Sequence, residues 1–254
     1  MKIEVIASGS KGNANLVICG NTNIIIDAGV SFLTIKRSIE QNHILPNEID
    51  AILITHTHND HIKGLASVAK KTGCKVYIKE GMYQEIKKIV EPDQIYFIKD
   101  TFVINDVKID LIPTSHDVVS SLGYMITYKE KTLVYVTDTG YINRRHLKKM
   151  KDKDIYILES NHDEKMLMDG PYPYYLKQRV VSDEGHLSNH QAASYLKELI
   201  GINTKYIILA HLSEKNNTEK KALDELHKEL SDDQKKDKTI LVAKQDEALP
   251  LIEV

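Results

Sequence analysis

Residues 51–64 read Ala51-Ile-Leu-Ile-Thr55, then His56-Thr-His58-Asn-Asp60-His61, then Ile62-Lys-Gly64. An apolar run of strand length stops at Thr55, and four potential metal ligands follow within six residues. Alternate side chains of an extended backbone share a face, so His56, His58 and Asp60 would point the same way. His61 breaks the alternation, as expected where the chain turns from strand into helix. Imidazole and carboxylate in this pattern suit zinc, manganese or iron, whereas a thiolate site would need cysteines. The chain holds 11 histidines among 254 residues. Three of them within six positions, beside an aspartate and behind an apolar strand, point to a metal site rather than a merely polar loop.

Working outward, the same arrangement recurs. Asp27 closes the run Asn23-Ile-Ile-Ile, His116 follows Leu111-Ile-Pro-Thr-Ser, Asp138 follows Leu133-Val-Tyr-Val-Thr, and His211 follows Tyr206-Ile-Ile-Leu-Ala. Each stands at the carboxyl end of an apolar run, where strand ends can present ligands to a shared site. This ordered set, with H-x-H-x-D-H after a strand, resembles the metallo-β-lactamase superfamily of binuclear metallohydrolases over nearly the whole chain. The resemblance implies an α/β fold of the α+β type, a four-layered αββα sandwich spanning residues 1–254 as one domain. Periodicity by itself supports only mixed α and β. By the same resemblance, His56, His58 and His116 would hold one divalent ion. Asp60, His61 and His211 would hold a second, and Asp138 would bridge the two. Zinc or manganese would fill the sites, with iron a further fit. Paired ions of this kind sit about 3.5–4 Å apart with a hydroxide between them as nucleophile. Asp27 matches a carboxylate that orients a ligand without binding metal, although an aspartate shortly before Gly29 also suits a turn.

Bulk properties narrow the classes. The 34 basic and 36 acidic residues nearly balance, and the pI is near 6.6. That excludes a globally basic nucleic-acid binder but not a local basic groove. Cys19 and Cys74 in ordinary contexts are expected to be buried thiols of a reducing compartment. Met1-Lys-Ile-Glu-Val-Ile reads as a strand rather than a signal peptide, and no apolar stretch reaches membrane-spanning length. A cytoplasmic protein is expected.

Along the chain, strands are predicted at Lys2–Ile6, Asn15–Ile18 and Asn23–Ile26. The loop Ala7–Asn13 between the first two has glycines that permit turns, and its backbone could hold an anion, although on the glycines alone an ordinary hairpin connection is the better reading. Helices are predicted over Ser31–Gln41, Ile62–Lys71 (stopped by Gly73) and Met82–Ile89, with a strand at Lys75–Ile78. Strands follow at Ile95–Ile98, Val107–Ile112, Leu122–Tyr128, Leu133–Thr137 and Ile155–Glu159. Pro171 and Pro173 flank a tyrosine-rich loop, Tyr172, Tyr174 and Tyr175, whose rings could stack on bases or simply pack. The run from Arg144 to Lys151 reads as a solvated helix face or a contact for a phosphate backbone. Ser188–Leu199 is a helix with a Ser188/Gln191 capping box, Asn217–Leu230 is another, and Thr239–Val242 closes as a strand.

Three later pieces refine the resemblance. Glu159-Ser-Asn161-His162-Asp163 follows a strand, Gly185-His186-Leu-Ser188-Asn189 opens a helix, and His211-Leu-Ser-Glu214 follows another strand. With Ser8-Gly-Ser10-Lys11-Gly-Asn13, they resemble the YycJ/WalJ branch of the superfamily, associated with exonuclease action on DNA. They are also similar in position to segments of tRNase Z. That similarity implies His186 as leaving-group acid or oxyanion donor. Glu159 would orient it, or else be a buried strand-end carboxylate. Asp60, Glu159 and His186 are the catalytic candidates, and Ser10, Asn13, Asn161, Ser188 and Asn189 are the substrate-binding ones. The short step from Asp138 to His211 leaves little room for a β-CASP insertion, and no glycine- and proline-rich arm is present. The expectation is a binuclear phosphodiesterase, a 5′-to-3′ exonuclease taking DNA in preference to RNA, with no membrane partner. Two rivals stay open: a hydrolase of a cyclic phosphodiester, thioester or lactone, and a regulatory protein with a vestigial site. Every expected ligand is present, which weighs against the latter.

Overall fold

In the computed structural model, which describes residues 1–254, the short apolar runs build two seven-stranded sheets. The first contains β1 (Lys2–Ala7), β2 (Ala14–Cys19), β3 (Thr22–Ile26), β4 (Ala51–Leu53), β5 (Lys75–Ile78) and β6 (Ile95–Phe97). The second contains β7 (Thr101–Ile104), β8 (Val107–Pro113), β9 (Leu122–Tyr128), β10 (Lys131–Val136), β11 (Ile155–Glu159), β12 (Tyr206–Ala210) and β13 (Thr239–Val242). A last strand, β14 (Ile252–Glu253), returns to pair with β1. Both sheets join antiparallel strands to a parallel block, β3 to β6 in one and β10 to β13 in the other.

The helices are α1 (Phe32–Gln41), α2 (Asn59–Ile62), α3 (Leu65–Thr72), α4 (Tyr83–Ile86), α5 (Arg144–Met150), α6 (Glu164–Asp169), α7 (Tyr174–Val181), α8 (Asn189–Leu199), α9 (Glu219–Glu229) and α10 (Asp232–Lys235). Alternation along the central strands decides the layering. Leu133, Tyr135, Ile155, Ile157, Ile208 and Ala210 join the large core shared with the first sheet. Their neighbours Val134, Val136, Tyr156, Leu158, Ile207 and Leu209 face a second core. That second core is closed by Leu147 and Met150 of α5, Ala192 and Leu196 of α8, and Ala222 and Leu226 of α9. Ile35 and Ile39 of α1 and Leu65 and Val68 of α3 cover the first sheet. The order helix, sheet, sheet, helix is the expected αββα sandwich. Each fully buried Leu or Ile contributes about 1.5–3 kcal/mol, so the two cores supply the main drive to this layering.

Some expected elements change at their edges. The helix expected over Ile62–Lys71 is two, α2 and α3, because Gly64 intervenes. A Cβ at Gly64 would lie 1.9 Å from the Val30 carbonyl oxygen, so only glycine lets the chain pass there. The helix expected over Met82–Ile89 shrinks to a 3₁₀ turn, Glu80–Met82, and the single turn of α4. The tyrosine-rich loop is in part helical, since Pro173 caps α7 and Tyr174 and Tyr175 lie on its exposed first turn. Cys19 and Cys74 are buried and unbonded, and burial pushes their thiols up to about 12 and about 11. No helix is long and apolar enough to cross a membrane.

Candidate metal centre

All the candidate ligands gather at the carboxyl ends of strands. His56 and His58 follow β4, His116 follows β8, Asp138 follows β10 and His211 follows β12, while Glu159 ends β11. Three turn-offs use left-handed backbone, with φ of 60° at Asp27, 54° at Asp138 and 55° at His211. Such a conformation costs a non-glycine residue about 1–2 kcal/mol, so these side chains are aimed at the expense of local stability. His58 remains extended, with ψ of 149°, but Asn59 begins α2. Asp60 therefore sits in a helical first turn, not on a continuing strand, and the expected alternation holds only for His56 and His58. Neighbouring loops fix Asp60 instead. Its carbonyl accepts from the Asn13 N–H at 2.8 Å, and a Cβ at Gly29 would fall 1.6 Å from that same oxygen.

The side chains converge in overlapping sets. The ligand atoms of His56, His58 and His116 lie within 4.8 Å of one another, as do those of Asp60, His61 and His211. Asp138 touches both sets, with Oδ2 3.3 Å from His61 Nε2 and Oδ1 3.8 Å from His116 Nε2. Asp60 Oδ2 is 3.6 Å from His61 Nε2 and 3.7 Å from His211 Nε2. Three of the converging atoms, His56 Nε2, His211 Nε2 and Asp138 Oδ2, are buried without a hydrogen-bond partner. Leaving a buried polar atom bare costs about 1–3 kcal/mol, and proteins seldom do so. Nitrogen and carboxylate donors orphaned around one point fit divalent cations.

A surrounding ring of acceptors selects the nitrogen that each imidazole offers. His61 Nδ1 donates to Asp27 Oδ2 at 2.8 Å and His211 Nδ1 to Glu159 Oε1 at 2.9 Å. His116 Nδ1 faces the carbonyls of Glu184 and Gly185, both at 3.1 Å. Each of these leaves Nε2 for a cation. Asp27 therefore combines its turn with an orienting contact, and its Oδ1 also accepts from the Thr55 N–H at 2.9 Å. Burial opposes a proton on His61, but Asp27 and Asp138 outweigh it and push the imidazole up to about 10. Burial and then His61 hold His56 well below the usual imidazole range. Burial would raise Glu159, yet His186 and His211 bring it down to about 2. The cluster thus carries fixed negative charge around histidines; burial opposes protons on them, but the carboxylates raise both His61 and His211, so a cation would compete with protons there.

Glu159 has a second client. His186 Nδ1 lies 2.8 Å from Glu159 Oε1, the oxygen that also receives His211. His186 precedes the cap of α8 by two residues, because Ser188 is the N-cap and Asn189 the first helical residue. It is held by Glu159 and stands outside the helix terminus itself.

A cavity of about 240 Å³ opens over the cluster, lined by Ser10, Asp60, Asn161, His186 and the candidate ligands His58, His116 and His211 among others. Asn13, Ser188 and Asn189 are not on its wall. Asn13 is buried and ties its loop to the ligand cluster, accepting from Gly9 N–H at 2.8 Å, donating to Gly9 O at 3.0 Å, and placing Nδ2 3.0 Å from His61 Nε2. Ser188 caps α8 and donates to Glu164, and Asn189 is bonded to Ser160 and Asn217. Sequence reading missed Asp117 and Arg179, which do line the cavity, whereas Tyr172, one of the rings that could stack on bases, is on its wall. Asp117 adjoins His116 in sequence, a usable signal. Arg179 comes to the site only through the placement of α7, which no local motif announces.

Residues 22–212 match the family model described as the β-lactamase superfamily domain. Exodeoxyribonuclease WalJ of Streptococcus pneumoniae serotype 2 (strain D39) is 36% identical over 223 residues, covering 85% of this chain and 83% of that protein. Exodeoxyribonuclease YycJ of Bacillus anthracis is 35% identical over 222 residues, covering 85% and 84%. Among solved structures, the metallo-β-lactamase fold protein YhfI of Bacillus subtilis superposes with a TM-score of 0.74 at 17% identity, over 98% of this chain and 99% of that one.

Proposed function

Because the chain belongs to the metallo-β-lactamase superfamily, in its WalJ/YycJ-like branch, we propose that it is a metal-dependent phosphodiesterase acting as a 5′-to-3′ DNA exonuclease. The observation that carries this reading is the set of buried, unpartnered ligand atoms on His56, His211 and Asp138, gathered where two trios of ligands meet. His56, His58 and His116 would hold one divalent ion, zinc or manganese. Asp60, His61 and His211 would hold the other, with Asp138 between them. Bound ions supply a water activated at neutral pH and charge that stabilises phosphoryl oxygens.

The chain's own groups do the rest. Asp27 and Glu159 keep His61 and His211 in the tautomer that offers Nε2. Glu159 also holds His186 through Nδ1 and favours its protonated form against burial. His186 can then give a proton to the leaving oxygen. The relatives named as exodeoxyribonucleases support DNA as the polymer. The test is to incubate the protein, loaded with manganese or zinc or stripped by a chelator, with end-labelled single- and double-stranded DNA and RNA. Mononucleotides released from DNA 5′ ends, only with metal, are expected. Hydrolysis of a lactone or thioester without any action on DNA would overturn the reading.

A further inference from the structure

Arg179 is the one lysine or arginine on the cavity wall, where Asp60, Asp117, Asp138 and Glu184 bring four carboxylates. Its Nε donates to Asp117 Oδ2 at 2.6 Å, and Nη2 falls on the same oxygen. The other Asp117 oxygen lies 3.4 Å from His58 Nε2 and 3.5 Å from His116 Nε2. The pair thus reaches from α7 to the first trio of ligands. A guanidinium has five N–H donors, and Asp117 engages two of them. With the Arg179 side chain 58% exposed, an ion pair contributes only about 0–1 kcal/mol to stability. Folding alone is therefore a weak reason for placing this cation here.

We propose that Arg179 is a phosphate-binding residue of the cavity, using the donors that Asp117 leaves free, and that Asp117 positions it beside His58 and His116. The proposal rests on the phosphodiesterase reading above and specifies how the substrate's charge is met on the α7 side. A planar guanidinium matches two oxygens of one phosphate at once, which a lysine cannot.

The test uses metal-loaded protein, with calorimetric titration of deoxyadenosine monophosphate and steady-state kinetics on a single-stranded oligonucleotide. Arg179→Ala should weaken monophosphate binding roughly 10- to 100-fold and raise KM for the oligonucleotide, with metal content unchanged. Arg179→Lys should recover part of that loss, since it restores charge without the fork. Unchanged monophosphate affinity in Arg179→Ala overturns the proposal, as does wild-type protein that binds no monophosphate at millimolar concentration. If wild-type protein binds the monophosphate through Arg179 yet degrades no DNA, the exonuclease reading falls and the phosphate site stands.

Discussion

Glu159 is the residue on which the two halves of the proposed chemistry meet. One carboxylate oxygen receives both His186 and His211, while the other accepts from the Leu187 N–H at 3.1 Å. A strand-end glutamate that is wholly buried would be costly unless its charge were answered, and here two imidazoles answer it. Its duties can be separated. Glu159→Gln should lower metal affinity by about 10–100-fold, because His211 loses its orienting carboxylate, and should also slow turnover. His186→Ala should keep full metal content yet lose about 10²–10⁴ in rate, with a smaller loss on a p-nitrophenyl ester whose leaving group needs no proton. Metal analysis of the two variants beside their rates decides the matter. Loss of metal in His186→Ala would make that histidine a ligand and remove its role as acid. The sequence announced His186 and Glu159 by their places after strands and before a helix. It could not show that one oxygen serves two histidines, since that depends on how β11 and β12 pair, Glu159 lying opposite Ala210.

Among the elements, those with strong periodicity were legible and those shaped by neighbours were not. The candidate ligands after β4, β8, β10 and β12 could be singled out because each apolar run ends abruptly in a polar residue, and the fold brings them together. The edge strand β7 escaped notice because its pattern is mostly exposed, with Val103 60% open to solvent. Helix α7 was hidden behind two prolines and three tyrosines, which locally favour a loop. The polar residues at the start of α8 show the opposite error, where a structural role looked like a binding one. Ser188 accepts from the Gln191 N–H at 3.2 Å while the Gln191 side chain reaches back to the Ser188 N–H at 2.8 Å. Ser188→Ala should therefore cost about 1 kcal/mol of stability as a lost cap, with KM for oligonucleotide unchanged. Denaturant unfolding and steady-state kinetics on this variant separate the roles. A raised KM at unaltered stability would return Ser188 to the substrate site.

At the scale of the whole molecule, the centre is assembled from both sheets, and this ties metal to folding. His56, His58, Asp60 and His61 come from the first sheet's side of the chain, and His116, Asp138 and His211 from the second. Neither sheet alone can complete either trio, because His116 is needed beside His56 and His58, and His211 beside Asp60 and His61. The large core spans the same boundary, with Ile24 and Ile52 packed in one cluster with Ile157 and Ile208. We therefore propose that residues 1–254 unfold as one cooperative unit. A cation that binds the native state alone stabilises it by about 2.7 kcal/mol at 100 times its dissociation constant and about 4.1 at 1,000 times. For a chain of this size, 1 kcal/mol moves Tm by about 2–4 °C. Calorimetry should show a single transition that rises, between chelator and saturating metal, by roughly 5–16 °C for each ion bound. Asp138→Ala should lose most of that rise, since it removes the carboxylate facing both trios, and its metal-free Tm should fall, because Asp138 is one of the carboxylates that answer the raised His61 and His211. Two separate transitions would defeat the single-unit proposal. A metal-dependent rise of wild-type size in Asp138→Ala would place the ions somewhere other than this cluster.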